Sequence, residues 1–141
     1  MHEFSMAEEL LSIVRTNAAA SNAKKVTSIR VRLSDISSIT ADALSFSFDA
    51  VSRGTICEGA SLIIERVPVI VRCKRCNLES EIRIPKDIAG RFDEERHHLH
   101  HVPHALLLKR DVEFICNMCG CKDFDLIDDD EIYLDRIELD V

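Results

Sequence analysis

The chain has 141 residues, 46% of them apolar but only 5% aromatic, which suits one ordinary core, or a small core with a metal-stapled satellite, packed on Ile, Leu, Val and Ala. Its 25 acidic against 18 basic residues give a formal charge of −7, which argues against nucleic acid as a partner, since phosphate contact needs a basic footprint. No stretch reaches the ~20 apolar residues of a membrane span, and residues 1–5 lack the basic start and apolar run of an export signal, so the expected compartment is the reducing cytoplasm.

In chain order, Ser5-Met6-Ala7-Glu8 has the S-x-x-E pattern of a capping box and predicts a helix beginning near Met6. Met6, Leu10, Ile13, Val14 and Asn17 recur at helical spacing as its expected packed face, and the pattern fades from Ala18 to Asn22. Ile29, Val31 and Leu33 alternate with Ser28, Arg30 and Arg32, as in a strand with one buried face. A second helix is predicted from Thr40, with Leu44, Phe48 and Val51 inward, Asp42 in the first turn and Gly54 just past the end. Leu62 to Val71 reads as a second strand running into Cys73, with Pro68 marking an edge or a bend.

Leu78, Ser80, Ile82 and Ile84 alternate again, up to Pro85. From Lys86 to Arg110 the periodicity dissolves, and the segment reads as a structureless insertion holding His97, His98, His100, His101 and His104. Phe124 to Ile127 and Ile132 to Val141 are predicted strands, the last returning to the first sheet. Asp128-Asp129-Asp130 between them lacks the alternating ligands, central Gly and closing Glu of a calcium loop and reads as a solvated acidic turn.

Two cysteine pairs, Cys73-Lys-Arg-Cys76 and Cys116-Asn-Met-Cys119, have the spacing of two zinc knuckles. Asn77 and Gly120 directly follow the second cysteine of each pair, and these residue types tolerate the left-handed turn a knuckle needs. Four thiolates close the metal's shell, which leaves no open position for hydrolytic chemistry. Cys121 is a possible substitute for Cys119, less well placed because Gly follows Cys119; Cys57 reads as a small semi-buried hydrophobe.

At the N-terminus, bulky His2 should protect Met1 from removal. The Met1 α-amine, the His2 backbone nitrogen and the His2 imidazole can then chelate one ion in a plane, a geometry that suits Ni(II) or Cu(II) better than zinc. No paired carboxylates, Ser-His-Asp order or Gly-rich phosphate loop is evident, so a binding protein and not an enzyme is expected.

The start Met1-His2-Glu3-Phe4-Ser5-Met6-Ala7-Glu8, the two cysteine pairs, Val26 to Leu33 and the stretch from Phe48 to Ala60 together closely resemble the HypA/HybF family of nickel-insertion proteins. The resemblance implies an α+β fold, in which a small sheet with two helices (residues 1–71 and 122–141) forms a nickel-binding module. A zinc-ribbon-like module (72–121) is inserted, with a His-rich insertion at about 86–110 of the longer, archaeal type. It further implies a cytoplasmic metallochaperone that carries Ni(II) at Met1, His2 and Glu3 and holds structural Zn(II) at Cys73, Cys76, Cys116 and Cys119. In the His-rich insertion, His100 precedes His101-Val102-Pro103 and is the expected distal nickel ligand, with His98 and His101 as alternatives. The implied partners are a HypB-type nucleotide-hydrolysing protein and the [NiFe]-hydrogenase large subunit. The competing reading is a zinc-ribbon scaffold for protein contact, without nickel transfer.

Overall fold

The computed structural model describes residues 2–91, 104–128 and 130–141, apart from the side chains of His2, His104, Ala105 and Leu106. Packing divides the chain into two compact units: residues 1–33, 39–65 and 132–141 form the first, and 34–38 with 66–131 form the second. The functional division expected from the sequence falls at 71/72 and 121/122.

In the first unit, helix α1 (His2–Ala20) and helix α2 (Ala41–Ser52) share a core with strand β1 (Lys25–Ser34). Helix α1 starts four residues earlier than the Ser5–Glu8 pattern indicates, so that pattern lies inside the helix and Glu3 occupies its first turn. Its buried stripe is Met6, Ala7, Leu10, Val14 and Ala18, while Ile13 is 41% exposed. The two alanines let α1 lie close to its neighbours, which rotates the packed face away from Ile13 and Asn17. Asn17 instead donates its side-chain amide to the Ile13 carbonyl at 2.8 Å.

Thr40 caps α2, its hydroxyl accepting from the Ala43 amide at 3.1 Å, and Gly54 ends it with φ +78°. The three-stranded sheet has the order β2 (Ser61–Val67), β1, β6 (Ile132–Asp140). Strand β6 pairs antiparallel with β1, Ile29 opposite Ile137 and Val31 opposite Leu134, as the alternation of Ile137 and Leu139 foretells. Register shifts in β1 fall between Val26 and Ser28 and between Arg30 and Val31.

The expected single strand from Leu62 to Val71 is two strands in different sheets. Pro68 cannot donate to a ladder, so β2 ends at Val67 and β3 (Val69–Cys73) begins the sheet of the second unit, in the order β4 (Glu79–Ile82), β3, β5 (Phe124–Leu126). Val69, Val71 and Cys73 face its core and Ile70 and Arg72 face out.

The described parts of the segment from Lys86 to Arg110 are helical, where the lost periodicity indicates no structure. Helix α3 is described over 86–91, and α4 spans His104–Asp111. Each is anchored by a few apolar residues, Ala89 in α3 and Leu107 and Leu108 in α4, buried with Val71, Phe114 and Phe124. Helical stretches of about two turns are too short to show a period among polar neighbours. Cys57 is 1% exposed and belongs to the first core, where burial raises its thiol pKa.

Candidate metal centres

Strand β3 delivers Cys73 to the end of the second sheet, and the chain then turns back through Lys74 and Arg75. Asn77, at φ +63°, donates its amide to the Cys73 carbonyl at 3.0 Å. The second knuckle repeats this: Gly120, at φ +73°, donates to the Cys116 carbonyl at 2.9 Å. Both turns are closed one residue further on, the Cys73 amide donating to the Leu78 carbonyl and the Cys116 amide to the Cys121 carbonyl, each at 2.9 Å. Cys121 thus occupies in its knuckle the place of Leu78 in the other. Its backbone closes the turn and its thiol is directed at the Asp123 carbonyl, 3.8 Å away.

The sulfurs of Cys73, Cys76, Cys116 and Cys119 lie within 4.8 Å of one another, with Cys73 to Cys119 and Cys76 to Cys116 both 3.5 Å. A tetrahedron of sulfurs around an ion at about 2.3 Å has edges of about 3.8 Å, so the cluster fits one tetrahedral thiolate site. All six cysteines are free, and the sulfurs are too far apart for disulfides.

Within each pair the two thiols are set differently. The Cys76 amide, with that of Arg75, lowers Cys73 to about 6, and the Cys119 and Met118 amides lower Cys116. Against the amide of Leu78, the Cys116 sulfur and burial raise Cys76. Against the amide of Cys121, burial and the three neighbouring sulfurs push Cys119 up to about 12. Without a cation the four sulfurs cannot all ionise, because each thiolate opposes the next. A divalent ion removes that conflict, which is the chemical fit of this donor set to a metal.

The first knuckle is tied to the rest of the unit by charges that sequence spacing does not reveal. Lys74 lies 3.7 Å from Asp123 and 3.6 Å from Asp125, and Lys109 of α4 lies 2.9 Å from Asp123. Lys109 also sits 5.7 Å above the Phe124 ring, which packs on Phe114 at 5.3 Å.

At the other candidate site, His2 is the first residue of α1 and Glu3 is half-buried in its first turn. Met1, the His2 side chain, His98, His100 and His101 lie outside the described residues, as does His97. Among the described residues the one cluster of metal-ligating side chains is the four cysteines.

The family described as hydrogenase/urease nickel incorporation metallochaperone HypA matches residues 1–139. The chain belongs to the HypA family. The hydrogenase maturation factor HypA of Pyrococcus horikoshii is 30% identical over 143 aligned residues, 99% of this chain and 96% of that one. HypA of Pyrococcus abyssi is 29% identical with the same coverage. HypA of Chloroflexus aurantiacus matches only 61% of this chain, at 38% identity. The solution structure of the nickel metallochaperone HypA from Helicobacter pylori superposes with a TM-score of 0.62 at 16% identity, covering 98% of this chain and 97% of that one. A second HypA solution structure gives 0.64 at 18% identity. The α+β HypA fold, with its cysteine cluster, is therefore the fold of this chain.

Proposed function

We propose that this HypA-family chain binds Ni(II) at its N-terminus and delivers it for [NiFe]-hydrogenase maturation, with Zn(II) held structurally by Cys73, Cys76, Cys116 and Cys119. The observation that carries the reading is the family match over residues 1–139 together with the Met1-His2-Glu3 start at the head of α1. The first amides of a helix have no intrahelical acceptor, so the nitrogens of His2 and Glu3 are not committed to the helix ladder. The partial positive charge at a helix start favours loss of the amide protons, and a deprotonated amide nitrogen is a strong ligand for square-planar Ni(II).

The nickel ligands in this reading are the Met1 amine, the His2 amide and imidazole and, to complete the square, the Glu3 amide or an imidazole from His100, with His98 and His101 as substitutes. The protein is a carrier and not an enzyme, and it works in the cytoplasm with a HypB-type nucleotide-hydrolysing protein and the hydrogenase large subunit. No helix among the described residues is long and apolar enough to cross a membrane.

Nickel titration of the chain with an unmodified N-terminus tests the reading. His2→Ala, or one residue added before Met1, removes tight nickel binding and leaves zinc content and circular dichroism unchanged. A full equivalent of tightly bound nickel in the extended protein would overturn the N-terminal site, and no tight nickel in the unmodified chain would favour the scaffold reading.

A further inference from the structure

Helix α2 buries Leu44, Ser47, Phe48 and Ser52 in the first unit and carries on its outer side a large apolar side chain, Phe46, that is 78% exposed. Among the described residues no other large apolar side chain is as exposed. Asp42, Phe46, Asp49 and Arg53 follow one another at steps of four, three and four residues, and therefore lie along one stripe of the helix. Half-buried Ala43 and Ala50 flank Phe46 one turn away on either side, so the ring stands on a shallow apolar patch. The stripe ends in opposite charges, Asp42 at its start and Arg53 at its finish. Arg53 lies 3.9 Å from Asp49, with both side chains 72% exposed.

We propose that this stripe is a self-docking surface whose occupant is α2 of a second copy of this chain, lying antiparallel across it. The charge order decides for a copy and for its direction. Centred between Ser47 and Phe48, an antiparallel pair sets Arg53 of each copy against Asp42 of the other at both ends. The same register sets each Phe46 level with Asp49 of its mate, next to Ala50, and brings the two rings about three residues of helical rise apart, at the near end of the ~4.5–7 Å range of aromatic pairs. A parallel pair would set Asp42 against Asp42 and Arg53 against Arg53. Such a contact is isologous and closes as a dimer. It is also small: two phenyl groups bury about 150–250 Å² each, so the patch falls short of the ~1,000 Å² of a durable interface and the association is concentration-dependent. This inference does not rest on the nickel reading.

The test is sedimentation velocity on the full-length, zinc-loaded chain from low micromolar to near-millimolar concentration. The expected result is a reversible dimer whose midpoint shifts up by about tenfold or more in Phe46→Ser, a change at an exposed position that leaves the core intact. Asp42→Lys and Arg53→Glu each place like charges at both ends and lose the dimer when alone. Their equimolar mixture regains it, because the two introduced side chains then face each other at one end, lysine against glutamate, and the native Arg53 and Asp42 meet at the other. Dimerisation unaffected by Phe46→Ser, a mixture that stays monomeric, or a wild-type monomer at every concentration overturns the proposal. The last outcome would leave the stripe to a different protein.

Discussion

In each knuckle the first cysteine is held low by the amides of its own turn and the second is held high by its neighbours. Cys73, at about 6, is already ionised near neutral pH, whereas Cys76 is raised and Cys119 stands at about 12. Zinc uptake at pH 8 should therefore release protons, from Cys119 and Cys76 above all. Because protons compete with the metal, apparent affinity falls as pH falls, and falls more steeply below about 6 as Cys73 also takes up a proton. Calorimetry in buffers of different ionisation enthalpy measures the release, and a value near zero would contradict it. The same turns separate Cys119 from Cys121: Cys121→Ser should retain the full equivalent of zinc that Cys119→Ser loses. The knuckle residues Asn77 and Gly120 were legible in the sequence because a left-handed turn admits few side chains. The Lys74, Asp123 and Lys109 contacts were not, because they join residues distant along the chain through exposed charges that carry no spacing rule.

Elements with a sustained period or alternation were readable, down to the short strands β4 and β5, whereas the helices between Lys86 and Arg110 were not. Strand β1 and helix α2 follow their alternation and their cap, and Thr40→Ala should cost about 1 kcal/mol through the lost bond to the Ala43 amide. A fall in thermal melting of the zinc-loaded protein would register that loss. Helix α1 misled at its start because a capping-box pattern is two side chains long and a helix interior accommodates it. Helix α4 was hidden because burial of Leu107 and Leu108 is a tertiary fact. Leu108, fully buried, gives the corresponding check. Leu108→Ala should cost about 2–5 kcal/mol, whereas in a structureless segment it would cost nothing measurable by denaturant titration.

At the scale of the molecule, the second unit is fixed at two ends. One end is the cysteine cluster. The other is Asp35, whose side chain is 7% exposed and accepts from the Ile84 amide at 3.2 Å, with Arg83 at 3.4 Å and Arg66 at 3.6 Å. Asp35→Ala leaves a buried amide without its acceptor and should lower the stability of that unit by about 1–3 kcal/mol. Stripping the metal with a strong chelator should expose the amides around Cys73 and Cys116 to hydrogen exchange. Protection in α1 and β1 should persist, because their core of Leu10, Val14, Ile29 and Val31 contains no ligand of the cluster.

Strand β6 gives the fold a temporal property. Lys25 to Leu33 of β1 meets its partner only at Ile132 to Asp140, so the side of β1 that faces β6 stays unpaired until more than a hundred further residues have been made. Synthesis proceeds from the N-terminus at ~5–20 residues per second, so that side waits several seconds on the ribosome. The end of α1 is bound to the same event, since the Lys24 amide beyond it donates to the Asp140 carbonyl at 2.8 Å. A message cut short before Ile132 therefore yields a chain with an open sheet edge, an invitation to proteolysis.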